Sequence, residues 1–351
     1  MSLSLRASLA LVICFPVLSW AQQSPAPPTA PAETQKTEGR IHLDVVVTDK
    51  SGKPVTGLTL KDFTLLDNSQ PAKILSFHAF DGTAQNDEPP TEVILLLDAV
   101  NIPIQAVSTN RQQIVNFLRQ NGGHLAQPVS LFILSSQGLD LQRQPLLDGN
   151  QLADEASQRD NKLRALTASA GMHGEVENYQ FSVRMMKVIA REEAKKPGRK
   201  LLIWTGFGWP LVDSSFWGMT TEDLQTLFNT IAQLSTQLRE ARISVYNVSS
   251  GTDMASAAYE GFLKGVNTYK KSNSANLALK VLVVQTGGAI YGPDNNMAAQ
   301  INRCVQDAGT YYTLSFDPPP AAQANEYHDL KVTVGQPKLI VRTSTGYYNQ
   351  P

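Results

Sequence analysis

The side chains that could do chemistry are few and poorly spaced for it. The five histidines, His42, His78, His124, His173 and His328, are scattered along the chain. No two have the His-Glu-x-x-His spacing that would set a pair of imidazoles on one helix face for zinc. No Gly-x-Ser-x-Gly elbow and no Gly-x-x-x-x-Gly-Lys phosphate loop occurs. Gly206-Phe207-Gly208 lacks the third glycine and the acidic residue of a dinucleotide site. The carboxylate pair Glu192-Glu193 shares a charged helical face with Lys195 and Lys196, the pattern of a solvated surface. Cys304 falls in the helical spacing Ile301, Cys304, Val305, Ala308 and reads as a small buried hydrophobe. No nucleophile, base or metal set converges, so the chain is expected not to be an enzyme.

Two features remain. Asp98 closes the apolar run Val93-Ile94-Leu95-Leu96-Leu97 and is followed by Asn101. Further on, Trp204, Phe207, Trp209, Phe216 and Trp217 fall within fourteen residues. Tryptophan is costly to expose and enriched at binding hot spots, so Phe207, Trp209, Phe216 and Trp217 are candidate partner contacts. The competing reading packs these rings down over a sheet edge. For Trp204, inside a strand-like run, packing is the reading adopted.

Both features sit where strand patterns end. A continuous apolar run such as 93–97 suits a strand buried on both faces, and the helical spacing of Ile114, Val115, Phe117 and Leu118 follows it. Further strand patterns lie at 129–134, 200–205, 243–248, 289–291 and 311–316. Amphipathic stretches at 176–194, 221–239, 274–285 and 295–308 alternate with them. Such alternation predicts a mostly parallel sheet with helices on both faces, whose carboxyl edge is where open α/β sheets bind ligands. Shorter alternating runs at 41–47, 55–58, 63–66 and 74–80 precede this region, and runs at 330–334 and 339–342 follow it. They predict a small antiparallel β unit, completed by the chain's last strands, with the α/β domain inserted between its halves.

The expected boundaries are a signal peptide at 1–21, a disordered linker at 22–39, an N-terminal β unit at 40–88, the α/β domain at 89–317 and closing strands at 318–351. Arg6, the apolar stretch Ala7 to Leu18 and the small-x-small site Ser19-Trp20-Ala21 form an export leader, with cleavage expected after Ala21. The apolar stretch is too short for a membrane span, so none is expected after cleavage. Residues 22–39 are rich in Pro, Ala, Gln, Thr and Glu without apolar periodicity. The 351 residues carry 42% hydrophobic and 17% charged side chains with a net charge of −1, so no field gathers nucleic acid. The destination expected is the periplasm or the exterior.

In their order and spacing, several short segments resemble the von Willebrand factor type A-related proteins of the Acidobacteria type. They are the leader, Asp44-Val45-Val46-Val47-Thr48-Asp49, Gly57-Leu58, Asp62-Phe63, Leu97-Asp98-Ala99-Val100-Asn101, Thr286-Gly287-Gly288 and Gly346-Tyr347-Tyr348. The resemblance implies a Rossmann-like domain with a metal-ion-dependent adhesion site at the carboxyl edge: Asp-x-Ser-x-Ser after the first strand, a Thr from a later loop and an Asp after the fourth strand. Mg²⁺ wants an octahedron of hard oxygens, one position being left for a partner. Here Val100 and Ile102 stand at the two hydroxyl positions, Thr205-Gly206-Phe207 at the Thr-Asp-Gly, and the loop Gly171-Met172-His173-Gly174 where the Thr would be. His173 suits a softer metal than Mg²⁺.

The expectation is an exported, non-catalytic adhesion or scaffold module that binds a protein through Asp98, Asn101, His173, Phe207, Trp209, Phe216 and Trp217, with no cofactor. The alternative left open is a cation-dependent adhesion protein holding weak Mg²⁺ or Ca²⁺ at Asp98, with Asn101 and Ser108 or Thr109 assisting.

Overall fold

Hydrophobic burial from both sides dictates the central layer. Strand β5 (Glu92–Asp98) is buried at every position. Its Ile94 and Leu96 face one hydrophobic cluster, while Val93, Leu95 and Leu97 face another. Parallel partners flank it: β6 (His124–Ser135) on one side and β9 (Lys200–Thr205) on the other, followed by β10 (Ile243–Val248) and β11 (Ile290–Tyr291). The sheet ends in two antiparallel partners of β6, β7 (Gly138–Leu141) and β8 (Leu146–Asp148). The computed structural model describes residues 39–80, 88–158, 172–209, 211–216, 218–249, 256–292 and 294–351. The expected leader and all but the last residue of the expected linker lie outside them.

Six α-helices occur among the described residues, in two layers. Helices α3 (Met172–Glu193), α4 (Thr221–Glu240) and α5 (Leu279–Gln285) bury Met186, Ile231 and Leu282 against one face of the sheet. Helices α1 (Ile104–Leu118), α2 (Gly149–Gln158) and α6 (Met297–Gly309) bury Ile114, Leu152 and Ile301 against the other. Helix α4 starts where Thr220 and Asp223 form a reciprocal capping box. The stretch expected as one helix over 274–285 is split. A 3₁₀ turn covers Ser274–Leu277, Ala278 is extended, and the α-helix begins only at Leu279.

The remaining strands form two four-stranded antiparallel sheets. One has the order β14 (Ile340–Arg342), β1 (Ile41–Thr48), β12 (Tyr311–Phe316), β4 (Ser76–Phe80). The other has the order β15 (Gly346–Asn349), β13 (Glu326–Val334), β2 (Phe63–Asp67), β3 (Gln70–Ala72). Leu43 and Val45 of β1, Leu314 of β12, Leu65 of β2 and Val332 of β13 share one core, so the two sheets pack face to face.

Two expectations change here. Residues 311–316, expected as a strand of the α/β domain, pair instead with β1 and β4, so the β unit already resumes at Tyr311. The run was ambiguous because β12 is buried on both faces. Tyr312, Leu314 and Phe316 fill the sandwich, while Tyr311 carries the Arg199 guanidinium 4.4 Å from its ring centroid. Residues 55–58 form no strand, although Pro54 bridges Thr48.

Charge joins the sandwich to the α/β layer. Asp44 of β1 receives Arg242 at 2.6 Å and lies 3.9 Å from Nε of Arg199, which is 1% exposed. Asp307 of α6 accepts from Arg342 of β14 at 2.7 Å and from the Tyr246 hydroxyl at 2.9 Å, while its carbonyl accepts from Arg199. Removing Asp44 takes a charged acceptor from this partly buried cluster, while Arg242 keeps Glu88 at 2.9 Å. Asp44→Ala is therefore expected to cost about 1.5–3 kcal/mol, the range for a hydrogen bond to a charged group, read as a lowered urea midpoint at an unchanged m-value.

Candidate functional site

The connectivity makes a crevice. From β5 the chain crosses through α1 to β6, and it later returns to β9 on the opposite side of β5. The loops after β5 and β9 therefore diverge, and such a switch point is where open α/β sheets place ligands. A cavity of about 300 Å³ lies there, lined by Asn101, Glu175, Asn178, Phe207, Trp209 and Lys280 among others.

Asp98, at the end of β5, is fully buried. Its Oδ1 accepts the backbone amides of Val100 at 2.9 Å and Asn101 at 3.0 Å. Its Oδ2 accepts the Asn101 side-chain amide at 2.9 Å and the Trp204 indole N–H at 2.8 Å. Burial pushes the Asp98 carboxyl upward, and these donors pull it back by favouring the charged form. All four are N–H groups aimed at a carboxylate that can only accept, so the ionised form fits the site. The Asn101 amide is oriented by the same rule: its nitrogen reaches Asp98 and the Ser182 hydroxyl, which leaves its buried oxygen without a partner.

The loop after β9 is shaped by two glycines. Gly206 and Gly208 have φ of +113° and +70°, a region strained for other residues, and a Cβ on Gly208 would strike Leu279. Between them Phe207 turns outward and is 41% exposed. Asn247 of β10 holds the exit of β9 by donating to the carbonyls of Trp204 and Gly206.

The expected contact residues thus separate. Phe207 is exposed and Asn101 half-buried at the cavity. Trp209, expected as a partner contact, is 1% exposed. Its indole donates to the Leu277 carbonyl at 2.8 Å, and its ring meets Trp204 edge-on at 5.0 Å. It packs over the sheet edge, because burying the ring and satisfying its N–H together outweigh exposure. Asp98 likewise presents no surface to a partner and acts as an internal acceptor. His173 falls in the first turn of α3, but its side chain, that of Phe216, and all of Trp217 lie outside the described residues. Ser108 and Thr109 lie in α1 and make no contact with Asp98 among the bonds described above. Sequence reasoning placed Trp204 in the core without seeing it as the partner of Asp98. The available signal was the parallel register, which sets Trp204 beside Leu96, two residues before Asp98. Nor did it find Ser182, Asn178 or Lys280. Lys280 is 5% exposed, lies 5.4 Å from the Tyr259 ring centroid, and has its pKa lowered by burial.

Among the described residues, no group of three or more His, Cys, Asp and Glu side chains could hold a metal ion. No family model and no curated protein sequence matches the chain. Among solved structures, human COPII-coat protein Sec24c aligns at 11% identity and a TM-score of 0.34, over 78% of this chain and 45% of its own. Proximal thread matrix protein 1 from the mussel byssus aligns at 10% identity and a TM-score of 0.34, over 63% and 47%. The pilus adhesin SpaC from Lactobacillus rhamnosus GG, in its open conformation, aligns at 9% identity and a TM-score of 0.34, over 86% and 48%. This chain spans less than half the length of each.

Removing the indole donor isolates its share of the rim. Trp204→Phe is expected to cost about 2–3 kcal/mol, the range for a hydrogen bond to a buried charge. In a thermal-melt cycle with Asp98→Asn the two changes should be less than additive, because each removes the same bond.

Proposed function

We propose that this chain is an exported, non-catalytic protein-binding module of the von Willebrand factor type A kind, which recognises its partner at the carboxyl edge of the central sheet without a divalent cation. The observation that carries this reading is the Asp98 carboxylate, whose oxygens are engaged by four N–H donors. A hard cation needs several converging oxygens, and Val100 and Ile102, buried beside Asp98, offer none from their side chains. With the ionic grip gone, recognition falls to shape and apolar contact. Phe207 supplies an exposed ring beside a cavity at the switch point, an arrangement suited to anchoring on a partner surface. Among the described residues no helix is long and apolar enough to cross a membrane.

A pull-down from the native envelope tests the reading. Partner recovery is expected to be equal in 5 mM EDTA and 5 mM Mg²⁺, concentrations chosen at about the millimolar level of extracellular cation sites. Phe207→Ser is expected to lower recovery about tenfold, the equivalent of roughly 1.4 kcal/mol. Recovery that requires Mg²⁺ and vanishes with Asp98→Ala would overturn the proposal in favour of a working cation site.

A further inference from the structure

A second polar cluster lies in the β-sandwich, away from the switch-point crevice. His328 on β13 is 4% exposed, and its Nδ1 lies 2.7 Å from Oδ1 of Asp67 on β2. The other oxygen of Asp67 accepts the Tyr347 hydroxyl at 2.6 Å, and the Tyr347 ring stacks on the imidazole at 4.9 Å between centroids. A carboxylate can only accept, so Nδ1 carries a proton, and Nε2 is the atom left to act as a ligand. Nε2 is buried and has no hydrogen-bond partner. Buried acceptors are rarely left so, and one that persists asks for an occupant.

The nearest candidate donor to complete a site is Glu326. Two residues earlier on the same strand, it projects from the same face as His328. Its Oε1 lies 3.7 Å from Nε2, while its Oε2 accepts the Ala322 amide and is held in place. Metal bonds to imidazole nitrogen and carboxylate oxygen are about 2.0–2.2 Å, so an ion between the two atoms reaches both with a bent angle at the metal. A histidine that ligates through one nitrogen and gives its other N–H to a carboxylate is the usual arrangement at metal centres, because the carboxylate fixes the ring and raises its basicity. Asp67 occupies that position, steadied by Tyr347. A cavity of about 580 Å³, lined by Asp67, Pro71, Leu75, Asp317, Pro319 and His328, adjoins the cluster on the His328 side, and the Glu326 side chain is 32% exposed.

We propose that His328 Nε2 and Glu326 Oε1 form a binding site for a borderline divalent metal ion, Zn²⁺ in the first instance, with water filling its remaining positions. One imidazole and one carboxylate favour Zn²⁺, Ni²⁺ or Cu²⁺ over Mg²⁺ or Ca²⁺, which prefer oxygen shells. Two protein ligands make the site weak, in the range filled by an external ion rather than by a metal locked in at folding. The site is independent of the rim reading above.

Zn²⁺ alone is the probe, titrated from about 1 μM to 1 mM into the full chain while melting temperature and heat are followed. The melting temperature is expected to rise with Zn²⁺ and not with Mg²⁺, with one ion bound per chain, since a ligand of the native state stabilises by mass action. Glu326→Gln keeps the shape of a half-exposed side chain, so it should melt like the wild type without metal and bind Zn²⁺ at least tenfold more weakly. His328→Asn is the second variant, and Asp98→Asn, at the other end of the chain's chemistry, should leave the Zn²⁺ response intact. Wild type and Glu326→Gln responding identically would place the ion on other histidines and overturn the proposal. So would no response at 1 mM.

Discussion

One desolvated carboxylate organises the carboxyl edge of the central sheet. Asp98 is held at the end of β5 by amides from its own loop, by the Asn101 side chain and by an indole from the neighbouring strand. In a low dielectric these bonds strengthen, and losing any one leaves charge unanswered. The rest of the edge follows. Trp204 must present its N–H to Asp98, which sets its ring; Trp209 packs edge-on against it; and the glycines on either side of Phe207 let the chain pass over the pair. The outward direction of Phe207 is thus a consequence of how a buried charge was satisfied.

The opposite end of the sheet uses charge differently. Asp44, Arg199, Arg242, Asp307 and Arg342 come from strands, a helix and the turns just before β9 and β10, far apart in sequence, and together they fasten the sandwich to the α/β layer. Arginine suits such a place: its planar fork donates in several directions, and Arg199 also lies over the face of Tyr311. Such pairs contribute less to net stability than to fixing one arrangement, since each charge lost its water before finding its partner.

Much of the fold was legible because apolar periodicity is a local signal. The runs at 93–97, 200–205 and 243–248 became adjacent parallel strands, and the amphipathic stretches at 176–194 and 221–239 became α3 and α4. Residues 311–316 were not assignable to the correct sheet, because a strand covered on both faces reads alike in a sandwich and in a parallel layer. The break at Ala278 was hidden because its neighbours carry helical spacing, and the small strands β7 and β8 are too short to announce themselves. At the site, Asp98 and Asn101 could be placed from strand order. The roles of Trp204 and Trp209 could not, since whether an indole faces solvent depends on which acceptor lies within reach, a matter of tertiary geometry. The His328 cluster escaped for the same reason: its partners lie on β2 and β15, and no linear spacing records them.

The order of strands in the sandwich ties the two ends of the described chain together. Ile41 pairs with Phe316, β2 with β13 and β4 with β12, so three of the early strands take partners that follow the whole α/β layer in sequence, while β3 pairs locally with β2. The parallel layer around β5 lies in sequence between the two sets of strands, and the sandwich is complete only with β12 through β15. Without β12 and β13 the apolar faces of β1 and β2 would lose the strands that pair with them, so the two halves of the sandwich hold together or not at all.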